Sequence, residues 1–385
     1  MDYLFTEEQV MIRDLACQIA EEKIRPVAAK YDEGKEFPWP IVKVLAESDL
    51  FGIYIPEEYG GTGGGVTELA IATEELSKAC GGIALAFAAT ALGTYPILLY
   101  GSDEQKKKYI PEIAKGKKLA AFAITEAEAG SDAGSTRTTA KKDGDHYIIN
   151  GTKQWITNGG DAEIYTVIAM TDKSKGARGA SAFIVEKGTP GFEFGKKEDK
   201  MGIRGSSTRE LVFTDCRVPK ENLLSREGMG FIVAMKTFDN SRPGVAAQAV
   251  GIAQGAFDLA LKYAHQRHQF GQPISSFQGI QFMLADMATQ IEAARALVIS
   301  SARMIDSGVK DVAKVSAMAK MYASDVAMKV TVDCVQIYGG YGYMRDYPVE
   351  KYMRDAKITQ IYEGTNQIQR SIIASSLIKG LIKKK

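Results

Sequence analysis

The run Gly82-Ile83-Ala84-Leu85-Ala86-Phe87-Ala88-Ala89-Thr90-Ala91-Leu92-Gly93 constrains this chain more than any other segment. It carries no charge and offers no polar face, so as a helix it must be covered on all sides. Such a helix belongs inside a fold large enough to wrap it. A chain of 385 residues provides one, with length for two or three domains. The run is also rich in small residues. Either helices pack closely there, or side-chain volume has been removed to admit a ligand, and both readings stand from sequence alone.

Around this run the chain has three textures. Residues 1–118 read as helical. Thr6-Glu7-Glu8-Gln9 is a capping-box pattern, followed by Met11, Leu15 and Ile19 at helical spacing. Pro26 ends or kinks that helix. Gly60-Gly61-Thr62-Gly63-Gly64-Gly65 reads as a flexible connector, because no Lys-Ser/Thr pair follows to make a phosphate loop. A second helical pattern occupies residues 66–77. Residues 119–225 hold strand-like runs, His146-Tyr147-Ile148-Ile149, Tyr165-Thr166-Val167-Ile168-Ala169, Ala182-Phe183-Ile184-Val185 and Glu210-Leu211-Val212-Phe213, punctuated by glycines. Short strands so spaced predict a small antiparallel sheet or barrel. Residues 226–385 return to the helical period. Segments such as Ala313-Lys314-Val315-Ser316-Ala317-Met318-Ala319-Lys320-Met321 have the Ala and Met content of long, closely packed bundle helices. Helices, then strands, then helices is an α+β arrangement rather than alternating βαβ units.

With a net charge of +1, no strong field argues for nucleic acid or membrane partners. The N-terminus lacks the basic and apolar regions of a signal peptide. No apolar run is expected to approach the roughly 20 residues of a membrane span. Cys17, Cys80, Cys216 and Cys334 form no CxxC pair, and His146, His265 and His268 give no metal constellation. A soluble, reduced, cytoplasmic protein without a metal is the expectation, and the Lys383-Lys384-Lys385 tail reads as a solvated end.

Several segments carry candidate chemistry. Ile361-Tyr362-Glu363-Gly364-Thr365-Asn366-Gln367 places a lone carboxylate beside a permissive glycine, which suits either a general base or a solvated helix start. Ala123-Ile124-Thr125-Glu126-Ala127-Glu128-Ala129-Gly130-Ser131-Asp132 crowds hydroxyls and backbone amides together, as a ligand-binding segment or an ordinary turn would. Gly151-Thr152-Lys153-Gln154-Trp155-Ile156-Thr157-Asn158 offers an indole face with polar handles, for a planar heterocycle or as cover for the sheet. In Gln336-Ile337-Tyr338-Gly339-Gly340-Tyr341-Gly342-Tyr343-Met344-Arg345-Asp346 the glycines end a helix and admit a close backbone approach. The segment follows no strand, so it is a weak dinucleotide fingerprint. Arg267-His268-Gln269-Phe270-Gly271-Gln272-Pro273-Ile274, with Gln278 beyond, puts an arginine fork in a loop suited to a pyrophosphate.

In this order these segments resemble the acyl-CoA dehydrogenase family over nearly the whole chain. The most specific parts are Ala123-Ile124-Thr125-Glu126 with Gly130-Ser131-Asp132, and Gln336, Gly339, Gly340, Gly342 and Tyr343 with Asp346, Lys351 and Asp355. The resemblance implies an N-terminal helical domain (1–118), a middle antiparallel β domain (119–225) and a C-terminal four-helix bundle (226–385). It also implies FAD as cofactor, an acyl-CoA substrate, electron-transferring flavoprotein as partner, and a homotetramer built as a dimer of dimers.

By the same resemblance Phe122, Ile124, Thr125, Gly130 and Ser131 line the flavin, Ser131 also touching the CoA arm, and Trp155 and Thr157 flank the isoalloxazine ring. Arg267, Phe270, Ile274 and Gln278 reach the FAD of a neighbouring subunit, and Gln336 and Gly340 do similar work. Thr365 and Gln367 contact the cofactor. Phe238, Asp239 and Arg242 match the CoA-contact segment, and Tyr362 and Gly364 flank the thioester. Glu363 is the implied base, taking the α-proton while the β-hydride leaves for flavin N5. Its backbone amide and the ribityl 2′-hydroxyl of FAD hold the thioester carbonyl. Some members carry the base at the position of Ser241, and serine cannot replace a carboxylate there.

The texture is most like the short-chain, butyryl-CoA type, notably in Ala169-Met170-Thr171-Asp172-Lys173-Ser174-Lys175-Gly176 and Lys196-Lys197-Glu198-Asp199-Lys200-Met201-Gly202-Ile203. The helix of Ile83 to Leu92 lacks the Arg of glutaryl-CoA members and the Asp linked to a cyclohexene thioester. Branched or alicyclic substrates remain an alternative because Ala84, Ala88, Ala89, Ala91 and Gly93 leave space. The same site run as an enoyl-CoA reductase, and a non-catalytic flavoprotein that binds partners, are the other readings. The presence of Glu363 and Arg242 opposes the last.

Overall fold

The computed structural model describes residues 3–382, and the lysine tail lies outside them. Among the described residues six α-helices come first: α1 (Glu7–Ile19), α2 (Ala28–Gly34), α3 (Trp39–Glu47), α4 (Val66–Ala79), α5 (Gly81–Tyr100) and α6 (Asp103–Ala114). The Thr6 capping box forms as expected, with Gln9 N donating to Thr6 Oγ1 and Thr6 N to Gln9 Oε1, both at 3.2 Å. At Pro26 the chain passes through a π turn (Ala20–Ile24) and a 3-10 turn (Arg25–Val27) before α2, because proline cannot supply the next helical N–H.

The middle segment forms β1 (Ala120–Ala123), β2 (Thr139–Asp143), β3 (His146–Thr157), β4 (Ile164–Met170), β5 (Ala180–Glu186), β6 (Phe192–Lys197), β7 (Thr208–Pro219) and β8 (Leu223–Leu224). The order is β6-β7-β3-β2-β4-β5-β8, with β1 beside β4. Most pairs are antiparallel, but β1 runs parallel to β4 from Ala120↔Ile164, and β2 touches β4 in parallel at Thr139↔Met170. The sheet is therefore mixed, which corrects the antiparallel expectation. β1 is short and buried throughout, so it shows no alternation in sequence. It reaches β4 by way of β2 and β3, and a connection that long permits parallel pairing.

The C-terminal helices are α7 (Gly230–Gln266), α8 (Gln278–Asp306), α9 (Ala313–Tyr338), α10 (Val349–Thr359) and α11 (Asn366–Ile382). A small hairpin, β9 (His268–Gln269) with β10 (Gln272–Pro273), joins α7 to α8. α7 packs on α8 and α9 and also on α4 and α5, so one hydrophobic core runs from the first helices through the sheet to the bundle.

α5 lies at the centre, as its all-round apolarity requires. Its small residues pack closely at one position and leave space at another. A Cβ added to Gly93 would sit 2.4 Å from Ala121 N, so close packing on β1 demands glycine there. Ala88 and Ala89 instead border a cavity. The expectation that no apolar run reaches membrane-span length is corrected: α5 and α7 are both long and apolar enough. Their most apolar windows are 78% and 72% buried inside the protein, which is how core helices meet that criterion.

Candidate active site

The chain leaves α10 through a turn that is conformationally costly. Glu363 has φ +53° and Gly364 φ +96°. A non-glycine residue in the left-handed region persists only where its surroundings over-determine it. Here Gln369 Nε2 donates to Glu363 O (3.1 Å) and Gly364 O (2.9 Å), and Asn366 N donates to Gln360 O (3.0 Å). From α9, Lys320 Nζ donates to Gly364 O (2.7 Å) and Asn366 Oδ1 (3.0 Å). A Cβ on Gly364 would lie 2.7 Å from Gln369 Nε2.

This turn delivers the Glu363 carboxyl to a cavity wall, where Ser241 Oγ on α7 donates to Glu363 Oε2 at 2.5 Å. Burial raises the Glu363 pKa above the ordinary carboxylate value. The Ser241 hydrogen bond and the cations Arg242 and Lys320 oppose that rise without cancelling it. A poised carboxyl of this kind is what general-base chemistry uses.

Another part of the wall comes from the sheet. Lys153, fully buried, donates to Ile124 O (2.9 Å) and Glu126 Oε1 (2.7 Å), and Glu126 also accepts from Arg137 N (2.7 Å) and Thr138 N (3.0 Å). Burial pushes the Lys153 pKa down to about 8. Burial opposes Glu126 ionisation too, yet Lys153 and the donors around it hold the Glu126 carboxyl below its ordinary value. These bonds fix the segment carrying Ile124 and Thr125. Between Lys153 and Ile156 the β3–β7 register slips. Trp155 falls in that bulge with φ +59° and turns its indole outward, 55% exposed. Bulges beside functional sites re-aim side chains in this way. The strand end is anchored by Asn158 Nδ2, which donates to Thr90 Oγ1 on α5 (3.2 Å) and to Ala120 O (3.3 Å).

The cavity brings together Phe122, Ile124, Thr125, Trp155 and Thr157 from the sheet, Phe238 and Ser241 from α7, and Tyr362 and Glu363 from the turn. Phe122 meets Phe238 edge to face, with centroids 5.5 Å apart. Leu69, Leu85, Ala88, Ala89 and Leu92 add apolar lining to the cavity, and Gln248 lines it too. Gln248 Nε2 donates to Gly81 O (2.9 Å), while the Tyr362 hydroxyl donates to Gln248 Oε1.

Other sequence candidates lie outside this cavity. Gly130 and Ser131 are exposed on the loop after β1. Asp239 and Arg242 are buried as an ion pair (3.3 Å) behind Phe238, where Arg242 acts electrostatically on Glu363. Phe270 caps the β9–β10 hairpin, 93% exposed with φ +53°. Arg267 lies over the Tyr341 ring (5.4 Å), Ile274 N donates to Arg267 O (2.8 Å), and Gln278, Gln336 and Gly340 are exposed. Thr365 Oγ1 accepts from Ile368 N (3.3 Å), and Gln367 is exposed in the first turn of α11.

Sequence reasoning missed the Ser241–Glu363 bond, the Gln248–Tyr362 bond and Lys320. Only Lys320 left a trace: a cation set directly among Ala317, Met318, Ala319 and Met321 of α9.

Models of the N-terminal, middle and C-terminal domains of acyl-CoA dehydrogenase match residues 6–117, 121–216 and 228–378. The chain belongs to the acyl-CoA dehydrogenase family. It is an oxidoreductase of the class acting on CH–CH groups. It is 48% identical over 380 residues to the short-chain specific acyl-CoA dehydrogenase of Clostridium acetobutylicum, covering 98% of this chain and 100% of that one. It is 51% identical over 381 residues to an acryloyl-CoA reductase (NADH) of Anaerotignum propionicum, covering 98% and 96%.

Among solved structures, butyryl-CoA dehydrogenase of Megasphaera elsdenii superposes with a TM-score of 0.96 at 48% identity, covering 98% of this chain and 100% of that one. A chain in a structure of the electron transferring flavoprotein of Acidaminococcus fermentans gives 0.96 at 53% identity, covering 98% and 99%. Members of this acyl-CoA dehydrogenase family are FAD-dependent. One, from Bacillus anthracis, has been solved complexed with FAD (TM-score 0.92, 37% identity, covering 98% and 69%).

Proposed function

We propose that this chain dehydrogenates a short-chain acyl-CoA thioester to the trans-2-enoyl-CoA, with Glu363 as base. The observation that carries the reading is that the Glu363 carboxyl shares one cavity with Thr125, Trp155 and Thr157. A planar cofactor and a thioester can meet there with the carboxyl beside the reacting carbon.

The residues present fit FAD. Trp155 is held with its indole bare in a strained bulge, and Thr125 and Thr157 offer hydroxyls on the same wall. When bound, FAD supplies the acceptor for the hydride that leaves the β-carbon. The chain's own residues do the rest. Glu363 takes the α-proton, and Ser241 steers the carboxylate oxygen that does not receive it. The Glu363 N–H makes no hydrogen bond among the described residues and suits the thioester oxygen, where enolate charge develops. Closing the cavity with an acyl chain excludes water and raises the proton affinity of Glu363. Gln248, Leu85, Ala88 and Ala89 limit acyl length and admit some breadth.

The outer candidates belong to assembly and to the distal parts of cofactor and substrate. Phe270, with Arg267, Ile274 and Gln278 behind it, projects from the bundle as a group made to reach another subunit, in keeping with a homotetramer and with FAD held between subunits. Gln336, Gly340, Thr365 and Gln367 complete the cofactor's binding, and Gly130 and Ser131 lie toward the CoA arm. Likeness to the Acidaminococcus chain supports electron-transferring flavoprotein as the redox partner. All four cysteines are free, which suits a cytoplasmic setting. Likeness to the acryloyl-CoA reductase supports operation of the same site in reverse where electrons are supplied.

The test is anaerobic flavin bleaching by butyryl, isobutyryl, hexanoyl, glutaryl and cyclohexanecarboxyl thioesters of CoA. Fastest bleaching by the butyryl thioester supports the reading. Equal rates would sink the short-chain claim, and no bleaching by any would sink dehydrogenation.

A further inference from the structure

The geometry points to Lys320 as a positioning residue that holds the Glu363–Gly364 turn in the conformation presenting the carboxylate to the thioester. This rests on Glu363 being the base. Lys320 lies on α9 with no exposed surface, flanked by the buried Ala317, Ala319 and Ala323. Packing alone would be served by methionine, and burying an ammonium is costly unless its charge is answered. Both of its hydrogen bonds go to the segment just after the base, Gly364 O at 2.7 Å and Asn366 Oδ1 at 3.0 Å. Asn366 is buried in turn and donates to Ser324 Oγ (2.9 Å) and Asp325 Oδ1 (2.7 Å). The ammonium thus ties a rigid helix to the strained turn.

A non-glycine residue held in the left-handed region, as Glu363 is, needs such a clamp. Gln369 also grips Gly364 O, together with Glu363 O, but sits on α11, beyond the turn, so it cannot register the turn against α9.

The charges facing Lys320 are Glu363 on the turn, Arg242 on α7 and Asp325 on its own helix. Burial drives the Lys320 pKa down to about 7, with Arg242 adding to the fall and Glu363 and Asp325 opposing it. Hydrogen bonds to two carbonyl oxygens also favour the charged form. An ionised Glu363 and a protonated Lys320 therefore support each other.

Acetyl-CoA isolates the step concerned. Its methyl group has α-protons, and with no β-carbon it can lose no hydride. Proton removal leaves the electron pair in the enolate, and in D2O the carbon regains a deuteron. Exchange of that methyl group, followed by proton NMR on the holoprotein across pH, reads the base alone. Wild type exchanges and Glu363→Gln does not. Lys320→Met should slow exchange by about 10- to 100-fold, the scale of a misplacement near 1 Å, and move the rising limb of the pH profile upward, with acetyl-CoA affinity unchanged. Lys320→Arg should keep the limb in place. If Lys320→Met does not fold, Lys320→Gln, which keeps a donor but no charge, should show the same upward move.

Exchange at the wild-type rate with an unmoved limb in Lys320→Met or Lys320→Gln would overturn the inference while leaving the base intact. Wild-type exchange in Glu363→Gln would overturn the base assignment, whatever the Lys320 variants do.

Discussion

Ser241 Oγ lies 2.5 Å from Glu363 Oε2 and donates to it. On the proposed reading, Ser241, where the resemblance places the alternative base, steers Glu363 instead of acting as a base. Hydrogen bonds to a charged group are worth about 1.5–3 kcal/mol, enough to govern when Glu363 is ionised.

Ser241→Ala removes a donor that favours the carboxylate. The Glu363 pKa should rise further, so the acidic limb of kcat/KM moves to higher pH. Near neutral pH the rate should fall, and well above the limb it should recover. A pH profile with butyryl-CoA checks this, and an unmoved limb counts against the role of Ser241.

Glu363 also carries a stability cost. Its folded pKa is raised above the ordinary 4.5. Below 4.5 both folded and unfolded states hold the proton, and above the folded value the fold must hold a charge that burial disfavours. Glu363→Gln should therefore melt higher than wild type at pH 8, and the gap should close as the pH falls toward 4.5. Thermal melts at several pH values read this directly.

The buried Lys153–Glu126 pair fixes the Thr125 segment. Removing one partner of a buried pair typically costs about 3–5 kcal/mol. Lys153→Met should lose stability on that scale, measured by urea unfolding, and should be purified with less FAD than wild type.

Ala89 lines the cavity, where the proposed reading puts the acyl group. Ala89→Leu should narrow it and lower kcat/KM for isobutyryl- and cyclohexanecarboxyl-CoA by about tenfold or more relative to butyryl-CoA, the worth of one to a few methylenes in a tight site. Parallel steady-state assays on the three thioesters decide it.

The sequence made the three-part architecture readable because periodicity changes where fold layers change. The runs around His146, Tyr165, Ala182 and Glu210 all lie within strands. Residues of the cavity wall such as Thr125 and Trp155 were readable only through the resemblance, since their local motifs equally suit an ordinary turn and a cover for the sheet. β1 was less so, since a short strand buried on both faces has no alternation. Lys320 and Gln248 were not legible as site residues, because their roles depend on partners 44 and 167 positions away in the chain. Which end of the small-residue helix packs and which borders the cavity depended on the placement of Ala121 beside Gly93.

The most direct test of the central claim is anaerobic mixing of Glu363→Gln holoprotein with butyryl-CoA, followed by absorbance. The variant should keep the yellow flavin spectrum and bind the thioester, yet fail to bleach where wild type bleaches fully. Bleaching at the wild-type rate would contradict Glu363 as the base.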